Sequence, residues 1–545
     1  MRASSVEIGP NVDGETRVRR SVLSPNELVT TPIEGIKTVY DLLPYCAKTY
    51  GTKPALGYRK IETVVEEEKE ITKVVNGETR KEKKTWKYFQ LSGFIYLNYL
   101  EALEQAKNIG CFSQSIILTT AYDTLGEESV LSAMNEAEVH AIFTNASLLP
   151  TIKKIADRLL TVKHIIYDGE PEGNILEEFK SAHSKINVVT LDEVKQLGKD
   201  NPVEPNPPEP QDLCCIMYTS GSTGNPKGMN LIALPSLPVH YLPDVLAKVN
   251  ASGLIKQKMF NGAFRSKRFL RDKGGAPIFK ETHEFITIVL APLLLGYGMT
   301  ENCGGATLMT AEETTSENWG IAGSLFPSIE VKLVDVPDAG YFSTNKPCPQ
   351  GEVWLRGPMI SKGYYKNPQV TEETFTEDGW LRTGDIGEFT ASGSIKIIDR
   401  KKNLVKLAHG EYIALEKLES VYRSVLHVGN ICVFADSLQR KPVAVILPTE
   451  ARIMELAEEK GLKEQSFEEL CDNKVIISEV FNACQEQAKR AGLKPAEFLS
   501  SIVLVSDEWT PQNGLLTAAN KLKRIELQKK YKEKIDYLYA SNREA

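Results

Sequence analysis

The sequence predicts an α/β protein in which a large N-terminal domain of layered sheets and helices precedes a small α+β domain. The chain has 545 residues, which is more than one hydrophobic core usually supports. Between residues 110 and 195, short apolar segments alternate with helical stretches, and this alternation indicates parallel strands joined by helices. After Asp399 the pattern changes to that of a separate unit. We therefore expect an N-terminal arm over 1–35, a large domain over 36–398 and a small domain over 399–545.

The large domain contains clear strand patterns. Apolar runs over 141–144, 164–167 and 188–191 predict three strands of the α/β layer. The pair Asn76-Gly77 suits a type I′ turn, so the residues from 71 to 89 predict a β-hairpin. The arm over 1–35 shows no clear periodicity and is interpreted as a surface segment.

The small domain combines helices with strands. Apolar residues recur at helical spacing from Leu415 to Val425, and Gly429 stands where this helix is predicted to end. Runs over 431–434 and 443–447 predict two strands, and the helical spacing returns between 527 and 538. This mixture is typical of an α+β domain.

Composition and charge exclude several classes of protein. Lys and Arg number 65 and Asp and Glu number 72, so the formal net charge of −7 argues against a general nucleic-acid-binding protein. The longest apolar run, 285–299, is shorter than the roughly 20 residues of a spanning helix and is interpreted as buried core. The first ten residues lack the layout of a secretory signal. Nine cysteines without a CxxC pair or zinc spacing favour reduced thiols in the cytoplasm.

A glycine-rich loop follows a predicted strand over 212–218 and ends at Gly228. Glycines let the backbone approach a ligand closely, and the N–H groups of such a loop form a concave anion site. The Gly-Lys-Ser/Thr ending of a Walker A loop is missing. The alternative interpretation is a Ser/Gly-rich surface linker. The candidate phosphate-binding residues are Thr219, Ser220, Gly221, Ser222, Thr223, Gly224 and Lys227.

The loop, Tyr218-Thr-Ser-Gly-Ser-Thr-Gly-Asn-Pro-Lys-Gly228, resembles the signature loop of the adenylate-forming superfamily. In that superfamily the loop binds the β- and γ-phosphates of ATP, and a small mobile lid domain follows the large adenylate-forming domain. Four further segments resemble its motifs, namely 297–301 (Tyr-Gly-Met-Thr-Glu), 380–385 (Trp-Leu-Arg-Thr-Gly-Asp), 398–403 (Ile-Asp-Arg-Lys-Lys-Asn) and 516–524 (Leu-Thr-Ala-Ala-Asn-Lys-Leu-Lys-Arg).

The resemblance also implies a nucleotide and metal site. Tyr297 would stack on adenine, and Asp385 would accept bonds from both ribose hydroxyls, with Arg400 as a second ribose contact. Glu301 would hold Mg²⁺, since a carboxylate suits a hard cation. Beyond the loop, the residues that the resemblance assigns to the nucleotide are Gly275, Ala276, Pro277, Tyr297, Gly298, Asp385 and Arg400.

Three residues are implied in catalysis by the same resemblance. Thr300 would contact the α-phosphate. Lys521, with Lys523 as the second choice, would bridge the substrate carboxylate and the α-phosphate during adenylation. Lys406 would face the site during thioester formation, after the small domain has rotated about a hinge at Lys402. For the lysines at 402 and 406, a solvated charged loop is the alternative interpretation.

Segments over 306–323, 351–358 and 410–422 resemble the long-chain fatty acyl-CoA synthetases, and the likeness extends from about residue 36 onward. The chain departs from that pattern because only 68 residues separate Gly228 from Tyr297, where these enzymes carry many more. Further shortfalls are predicted near Ser92 and between Leu270 and Gly274. We therefore expect an incomplete large domain and an impaired chain.

The resemblance implies ATP-dependent ligation of a long-chain fatty acid to coenzyme A through an acyl-adenylate, with Mg²⁺ as cofactor. The implied partners are fatty acid, ATP and coenzyme A, without nucleic acid. The expected location is the cytoplasm, with peripheral association at the endoplasmic reticulum, peroxisome or lipid droplet left open. The alternatives are an adenylating enzyme for an aryl acid, amino acid or other carboxylic acid, and a truncated nucleotide-binding remnant without activity.

Overall fold

The computed structural model of the chain describes residues 3–31, 33–75, 78–121, 126–219, 227–232, 280–289, 293–310, 313, 315, 318–511, 513–517 and 520–541. Numbered along the chain, the strands of these residues are β1 (Ser5–Ile8), β2 (Val18–Ser21), β3 (Pro54–Tyr58), β4 (Ile61–Val75), β5 (Glu78–Leu91), β6 (Ile95–Asn98), β7 (Leu118–Thr120), β8 (Ala141–Asn145), β9 (His164–Asp168), β10 (Asn187–Thr190), β11 (Leu213–Thr219), β12 (Lys227–Ile232), β13 (Gly296–Tyr297), β14 (Thr307–Leu308), β15 (Ser324–Leu325), β16 (Glu330–Val334), β17 (Gln350–Arg356), β18 (Leu381–Phe389), β19 (Ile395–Arg400), β20 (Leu404–Lys406), β21 (Tyr412–Ala414), β22 (Val428–Phe434), β23 (Val443–Pro448) and β24 (Ser501–Leu504).

The α-helices of the same residues surround these strands. They are α1 (Val39–Tyr50), α2 (Tyr99–Ile109), α3 (Glu127–Glu136), α4 (Leu149–Ile155), α5 (Ile175–Ala182), α6 (Leu191–Asp200), α7 (Lys280–Val289), α8 (Pro368–Thr374), α9 (Leu415–Tyr422), α10 (Glu450–Glu459), α11 (Phe467–Asp472), α12 (Lys474–Arg490), α13 (Arg524–Lys530) and α14 (Lys532–Ser541). Within the described ranges, every helix is too short or too polar to cross a membrane.

A six-stranded sheet in the order β1-β2-β16-β17-β18-β19 supports the candidate site. The N-terminal residues differ from the expected surface arm, because β1 and β2 extend this sheet and β2 pairs with β16. The buried carboxylate of Glu330 fixes the junction: its two oxygens accept from Arg20 Nε and Arg356 Nε, both at 2.7 Å. This long-range pairing has no local sequence signal, which is why the periodicity of residues 1–35 did not predict it.

The predicted α/β layer is confirmed by a parallel sheet in the order β10-β9-β8. Helix α6, which follows β10, begins where a side chain satisfies a free backbone N–H group: Thr190 Oγ1 accepts from Glu193 N at 3.1 Å. A second sheet, β12-β11-β7, has β7 parallel and β12 antiparallel to β11. Among the described residues the two sheets are separate three-stranded units.

The predicted hairpin is confirmed as β4 and β5, which pair antiparallel from Ile61 opposite Leu91 to Val75 opposite Glu78. Its turn at 76–77 lies outside the described residues. The apolar run 285–299 is not one buried element: α7 ends at Val289 and β13 begins at Gly296. Ile288 and Val289 are exposed.

The C-terminal residues form an α+β unit around the sheet β22-β23-β24, in which β23 and β24 are parallel. Two details of the prediction were wrong. The first helix ends at Tyr422, and Gly429 lies inside β22, where a Cβ would stand 3.0 Å from the Leu447 carbonyl oxygen. The tail is divided into α13 and α14 at Tyr531. The six-stranded sheet ends at Arg400 and the C-terminal core begins at Leu407, so β19 continues two residues past the predicted boundary at 398/399.

Limited proteolysis should leave a resistant C-terminal fragment, while the N-terminal domain is cut first. The C-terminal core is continuous, and Leu418, Ile431 and Val480 within it are fully buried. The two separate sheets of the N-terminal domain leave more strand edges open to local unfolding. Mass spectrometry of the fragments checks this prediction, and equal cleavage rates in both regions would contradict it.

Candidate active site

Three of the residues assigned to the nucleotide meet at the edge of the six-stranded sheet. The register of β18 and β19 sets Asp385 opposite Arg400. β13 delivers Tyr297 to the same place, and its hydroxyl donates to Asp385 Oδ2 at 2.6 Å. Arg400 Nε lies 3.4 Å from Asp385 Oδ1. A carboxylate, a guanidinium and an aromatic ring are therefore held together.

The Asp385 carboxylate is buried and keeps further capacity to accept hydrogen bonds. Burial raises its pKa, while the hydrogen bond from Tyr297 and the charge of Arg400 lower it. Each carboxylate oxygen carries two lone pairs, so both oxygens retain an acceptor position after these contacts. A ligand with a pair of neighbouring hydroxyl groups fits this arrangement.

The loop after β13 carries Thr300 and Glu301 in a tight turn. Asn302 Oδ1 accepts from Met299 N at 2.8 Å and closes the turn. Gly298 is required for this approach, because a Cβ there would lie 2.3 Å from the Gly304 carbonyl oxygen. The turn thus carries Thr300 and Glu301 three and four positions after Tyr297.

Glu301 is oriented by a residue that the sequence interpretation missed. The Tyr364 hydroxyl donates to Glu301 Oε1 at 2.7 Å. Burial and the neighbouring carboxylate of Glu301 raise the pKa of Tyr364, so the hydroxyl stays a donor. The second oxygen of Glu301 has no partner within the described parts of the chain.

The ends of the glycine-rich loop lie side by side, because Thr219 at the end of β11 pairs with Lys227 at the start of β12. The Lys227 Nζ lies 5.7 Å from the centroid of the Tyr364 ring. Several predicted nucleotide-binding residues lie outside the described residues, and these are Ser220, Gly221, Ser222, Thr223, Gly224, Gly275, Ala276 and Pro277.

Lys521 and Lys402 belong to the same electrostatic group as Asp385. The surrounding protein and the positive charge of Arg400 lower the pKa of Lys521, whereas the carboxylates of Glu416 and Asp385 oppose this shift. The pKa of Lys402 is lowered by burial and by the charges of Arg400 and Lys521. Lys521 therefore lies within electrostatic range of Asp385 and Arg400.

A short turn presents Lys521. Its backbone N–H donates to Thr517 Oγ1 at 3.1 Å, and its carbonyl oxygen accepts from Thr517 N at 2.7 Å. Asn520, just before it, has a φ of 56°, a conformation that asparagine adopts more readily than most residues. Lys406, on β20, is exposed, as are Lys402 and Lys521, and its Nζ lies 5.6 Å from the Tyr412 ring centroid.

Asp399 joins the sheet to the first helix of the C-terminal unit. Ala414, the residue before α9, has no side chain that could accept a hydrogen bond from the first backbone N–H groups of the helix. Asp399 Oδ2 accepts from Lys417 N at 3.2 Å instead. Burial raises the pKa of Asp399 to about 6. This bond also sets Glu416, in the first turn of α9, near the two site lysines. Neither Asp399 nor Glu416 was singled out from the sequence as a site residue.

Part of this arrangement fits Mg²⁺. Among the described residues there is no cluster of three His, Cys, Asp or Glu side chains that could hold a metal. Mg²⁺ is commonly bound through one or two carboxylates together with waters and substrate phosphates. Glu301 Oε2, which has no partner among the described residues, meets that requirement.

Comparison with known proteins agrees with this geometry. A family model described as "AMP-binding enzyme" matches residues 106–232 and 239–365. Long-chain-fatty-acid–CoA ligase 1 of Schizosaccharomyces pombe is 32% identical, with 99% of this chain and 100% of the relative covered. Long-chain-fatty-acid–CoA ligase 1 of Saccharomyces cerevisiae is also 32% identical, with 97% and 98% covered. The first alignment extends over 680 positions, so the relative carries internal segments that this chain of 545 residues lacks.

Solved structures support the fold. The adenylation domain of a carboxylate reductase from Mycobacterium chelonae matches with a TM-score of 0.67 and 22% identity, covering 93% of this chain and 92% of that one. A two-domain fragment of the carboxylic acid reductase from Segniliparus rugosus, solved with AMP, matches with a TM-score of 0.68 and 22% identity over 94% and 83%. At this identity the likeness concerns the fold alone.

Proposed function

This chain belongs to the family of long-chain-fatty-acid–CoA ligases, and from that membership we propose that its site activates a long-chain fatty acid with ATP and transfers the acyl group to coenzyme A. The observation that carries the proposal is the contact of Tyr297, Asp385 and Arg400, with Lys521 in electrostatic reach. These residues can hold a ribose and place a cation beside its phosphate. The glycine-rich loop begins and ends at paired strands close to Glu301 and Tyr364.

The reaction has two steps. A carboxylate oxygen of the fatty acid attacks the α-phosphorus of ATP, and the bond to pyrophosphate breaks. The sulfur of coenzyme A then attacks the acyl carbon, AMP leaves, and the thiol proton is released. Catalysis rests on positioning and charge neutralisation, because no covalent intermediate with the protein is needed.

Each proposed role follows from the chemistry of the group. Asp385 and Arg400 orient the ribose, and the ring of Tyr297 offers a face for adenine. Thr300 offers a hydroxyl to the α-phosphate, and Lys521 offsets the charge of two approaching anions. Mg²⁺ held by Glu301 would neutralise the phosphates as pyrophosphate leaves. The exposed Lys406 serves the second step, after the C-terminal unit has rotated.

Pyrophosphate release with a panel of acids tests the proposal. We expect release with palmitate and far less with benzoate or an amino acid. A preference for an aryl acid or an amino acid would keep the adenylation chemistry and overturn the substrate class. ATP binding without acid-dependent release would overturn the enzymatic proposal.

We also propose a cytoplasmic protein that associates peripherally with a lipid surface. The long-chain acid partitions into lipid, and exposed aromatic residues lie on and beside the β4–β5 hairpin. Trp86, Phe89 and Tyr96 keep 46%, 55% and 55% of their surface exposed. Phe94 stacks on Tyr96 with centroids 5.9 Å apart. Aromatic side chains of this kind suit the membrane–water interface.

The double variant Trp86→Ala/Phe89→Ala should bind phosphatidylcholine vesicles about fivefold or more weakly, because it removes apolar area that would be buried in lipid. Co-sedimentation with vesicles measures this change. Phe143→Ala is the control, since Phe143 is also exposed, at 64%, but lies on β8 in another sheet. Equal vesicle binding by the wild type and the double variant would contradict the proposal.

A further inference from the structure

The segment 361–365 is attached to the strand that leaves the glycine-rich loop. Tyr364 forms a β-bridge with Met229 on β12. Two backbone bonds flank it, from Asn230 N to the Gly363 carbonyl at 3.1 Å and from Tyr365 N to the Gly228 carbonyl at 2.8 Å. The segment therefore acts as a short additional strand beside β12, and its position is fixed relative to the end of the loop.

The same segment is tied to the turn that carries Glu301. Ser361 N donates to the Glu301 carbonyl oxygen at 2.8 Å, and Ser361 Oγ donates to the Asn230 carbonyl oxygen at 2.6 Å. Ser361 is 4% exposed, so these bonds are shielded from water. These hydrogen bonds thus fix the positions of the loop end, the segment 361–365 and the Glu301 turn relative to one another.

The side chain of Tyr364 lies close to both Glu301 and Lys227. Its hydroxyl donates to Glu301 Oε1 at 2.7 Å, and its ring centroid lies 5.7 Å from Lys227 Nζ. The ring also packs edge-on against Phe375, with centroids 6.4 Å apart. A ring held in this way limits the rotamers of both the carboxylate and the ammonium group.

We propose that Tyr364 is a positioning residue that turns the free oxygen of Glu301 toward Mg²⁺ and steers Lys227 toward the phosphates of the same nucleotide. The proposal rests on the proposed function, because it needs Mg·ATP as the ligand. Tyr364 itself touches neither substrate nor metal in this account. Groups that orient a metal ligand are worth roughly 10–100-fold in metal affinity or activity.

A purely structural role is the alternative, in which Tyr364 only fills the space against Phe375. Tyr364→Phe separates the two roles, because it keeps the ring and removes one hydroxyl. If the hydroxyl orients Glu301, the loss is confined to binding that depends on the metal. If the residue only packs, metal-dependent and metal-free nucleotide binding change together.

The experiment is calorimetric titration of the full chain with ATP, once with Mg²⁺ and once with EDTA. For Tyr364→Phe we expect Mg·ATP binding weakened about tenfold and metal-free ATP binding within about twofold of the wild type. Tyr365→Phe, on the neighbouring tyrosine of the same segment, should bind as the wild type does. The double variant Tyr364→Phe/Glu301→Gln should be no weaker than Glu301→Gln alone, because the two groups act in series.

Three outcomes overturn the proposal. Unchanged Mg·ATP affinity in a folded Tyr364→Phe protein would show that the hydroxyl has no positioning role. Additive losses in the double variant would show that Tyr364 does not act through Glu301. Equal binding of ATP by the wild type with and without Mg²⁺ would show that Glu301 holds no metal that Tyr364 could help to position. ATP binding without acid-dependent pyrophosphate release would instead count against the proposed function alone. Circular dichroism and thermal midpoints verify that each variant is folded.

Discussion

Replacing Lys521 by alanine should reduce acyl-adenylate formation by roughly 10²–10³-fold, the usual effect of removing one preorganised charge-stabilising donor. Lys521 lies within electrostatic range of Asp385 and Arg400. In the proposed role it neutralises the fatty carboxylate and the α-phosphate as they approach. The second step should be spared, so supplied acyl-adenylate should still yield acyl-CoA. Separate assays of ATP–pyrophosphate exchange and thioester formation measure the two steps.

Lys523→Ala is the matched control, because Lys523 is exposed two positions further along the chain. It should retain adenylation, and Lys406→Ala should show the opposite pattern, with thioester formation lost first. Equal loss of both steps in a folded Lys521→Ala protein would contradict the assignment.

The pH dependence of adenylation offers a second test of Lys521. Its pKa is lowered from the ordinary lysine value, so its positive charge is lost at a lower pH than for a lysine of ordinary pKa. The adenylation rate should therefore fall as the pH rises through this lowered pKa. Lys521→Arg, if active, should lack this alkaline fall, since arginine stays protonated. An identical alkaline limb in both proteins would assign the titration to another group.

Replacing Asp385 by alanine should weaken ATP binding at least tenfold, and on the order of a hundredfold if two ribose bonds are lost. Each hydrogen bond to a charged group contributes about 1.5–3 kcal/mol, and 1.4 kcal/mol corresponds to a tenfold change in affinity. The substitution also leaves Arg400 and the Tyr297 hydroxyl without their partner. Calorimetric titration with ATP measures the effect.

Asp378→Ala is a suitable control, because Asp378 is an exposed carboxylate seven positions earlier that is not part of the site. It should bind ATP as the wild type does. Unchanged affinity in Asp385→Ala would remove Asp385 from the ribose site and with it the central contact of the candidate active site.

The site residues Asp385 and Arg400 were assigned by resemblance to a known superfamily, whereas short-range patterns in the sequence predicted strands and a hairpin. Asp385 and Arg400 are in neighbouring segments, and antiparallel pairing of β18 with β19 brings them together. The strands β8, β9 and β10 followed from alternation alone, and the hairpin followed from one Asn-Gly pair. For these strands and the hairpin the information is local, so periodicity and turn chemistry suffice.

Contacts between distant segments could not be predicted in this way. Tyr364 reaches Glu301 across 63 positions, and the only nearby signal was the glycine before it. β1 and β2 join a sheet whose other strands lie hundreds of residues away. Glycine is common at the end of a helix, but Gly429 lies in β22. The Leu447 carbonyl oxygen comes so close there that a side chain would be crowded. Tertiary pairing overrode a local preference at Gly429, and it formed the other two contacts without a local pattern that predicts them.

The measurement that tests the central claim most directly is a single turnover with palmitate, Mg·ATP and no coenzyme A. Palmitoyl-adenylate and an equal amount of pyrophosphate should accumulate on the enzyme and be detected by mass spectrometry. Addition of coenzyme A should convert the adenylate to palmitoyl-CoA and AMP. Formation of ADP and phosphate, or pyrophosphate release that does not depend on palmitate, would contradict the claim that this chain ligates fatty acids through an acyl-adenylate.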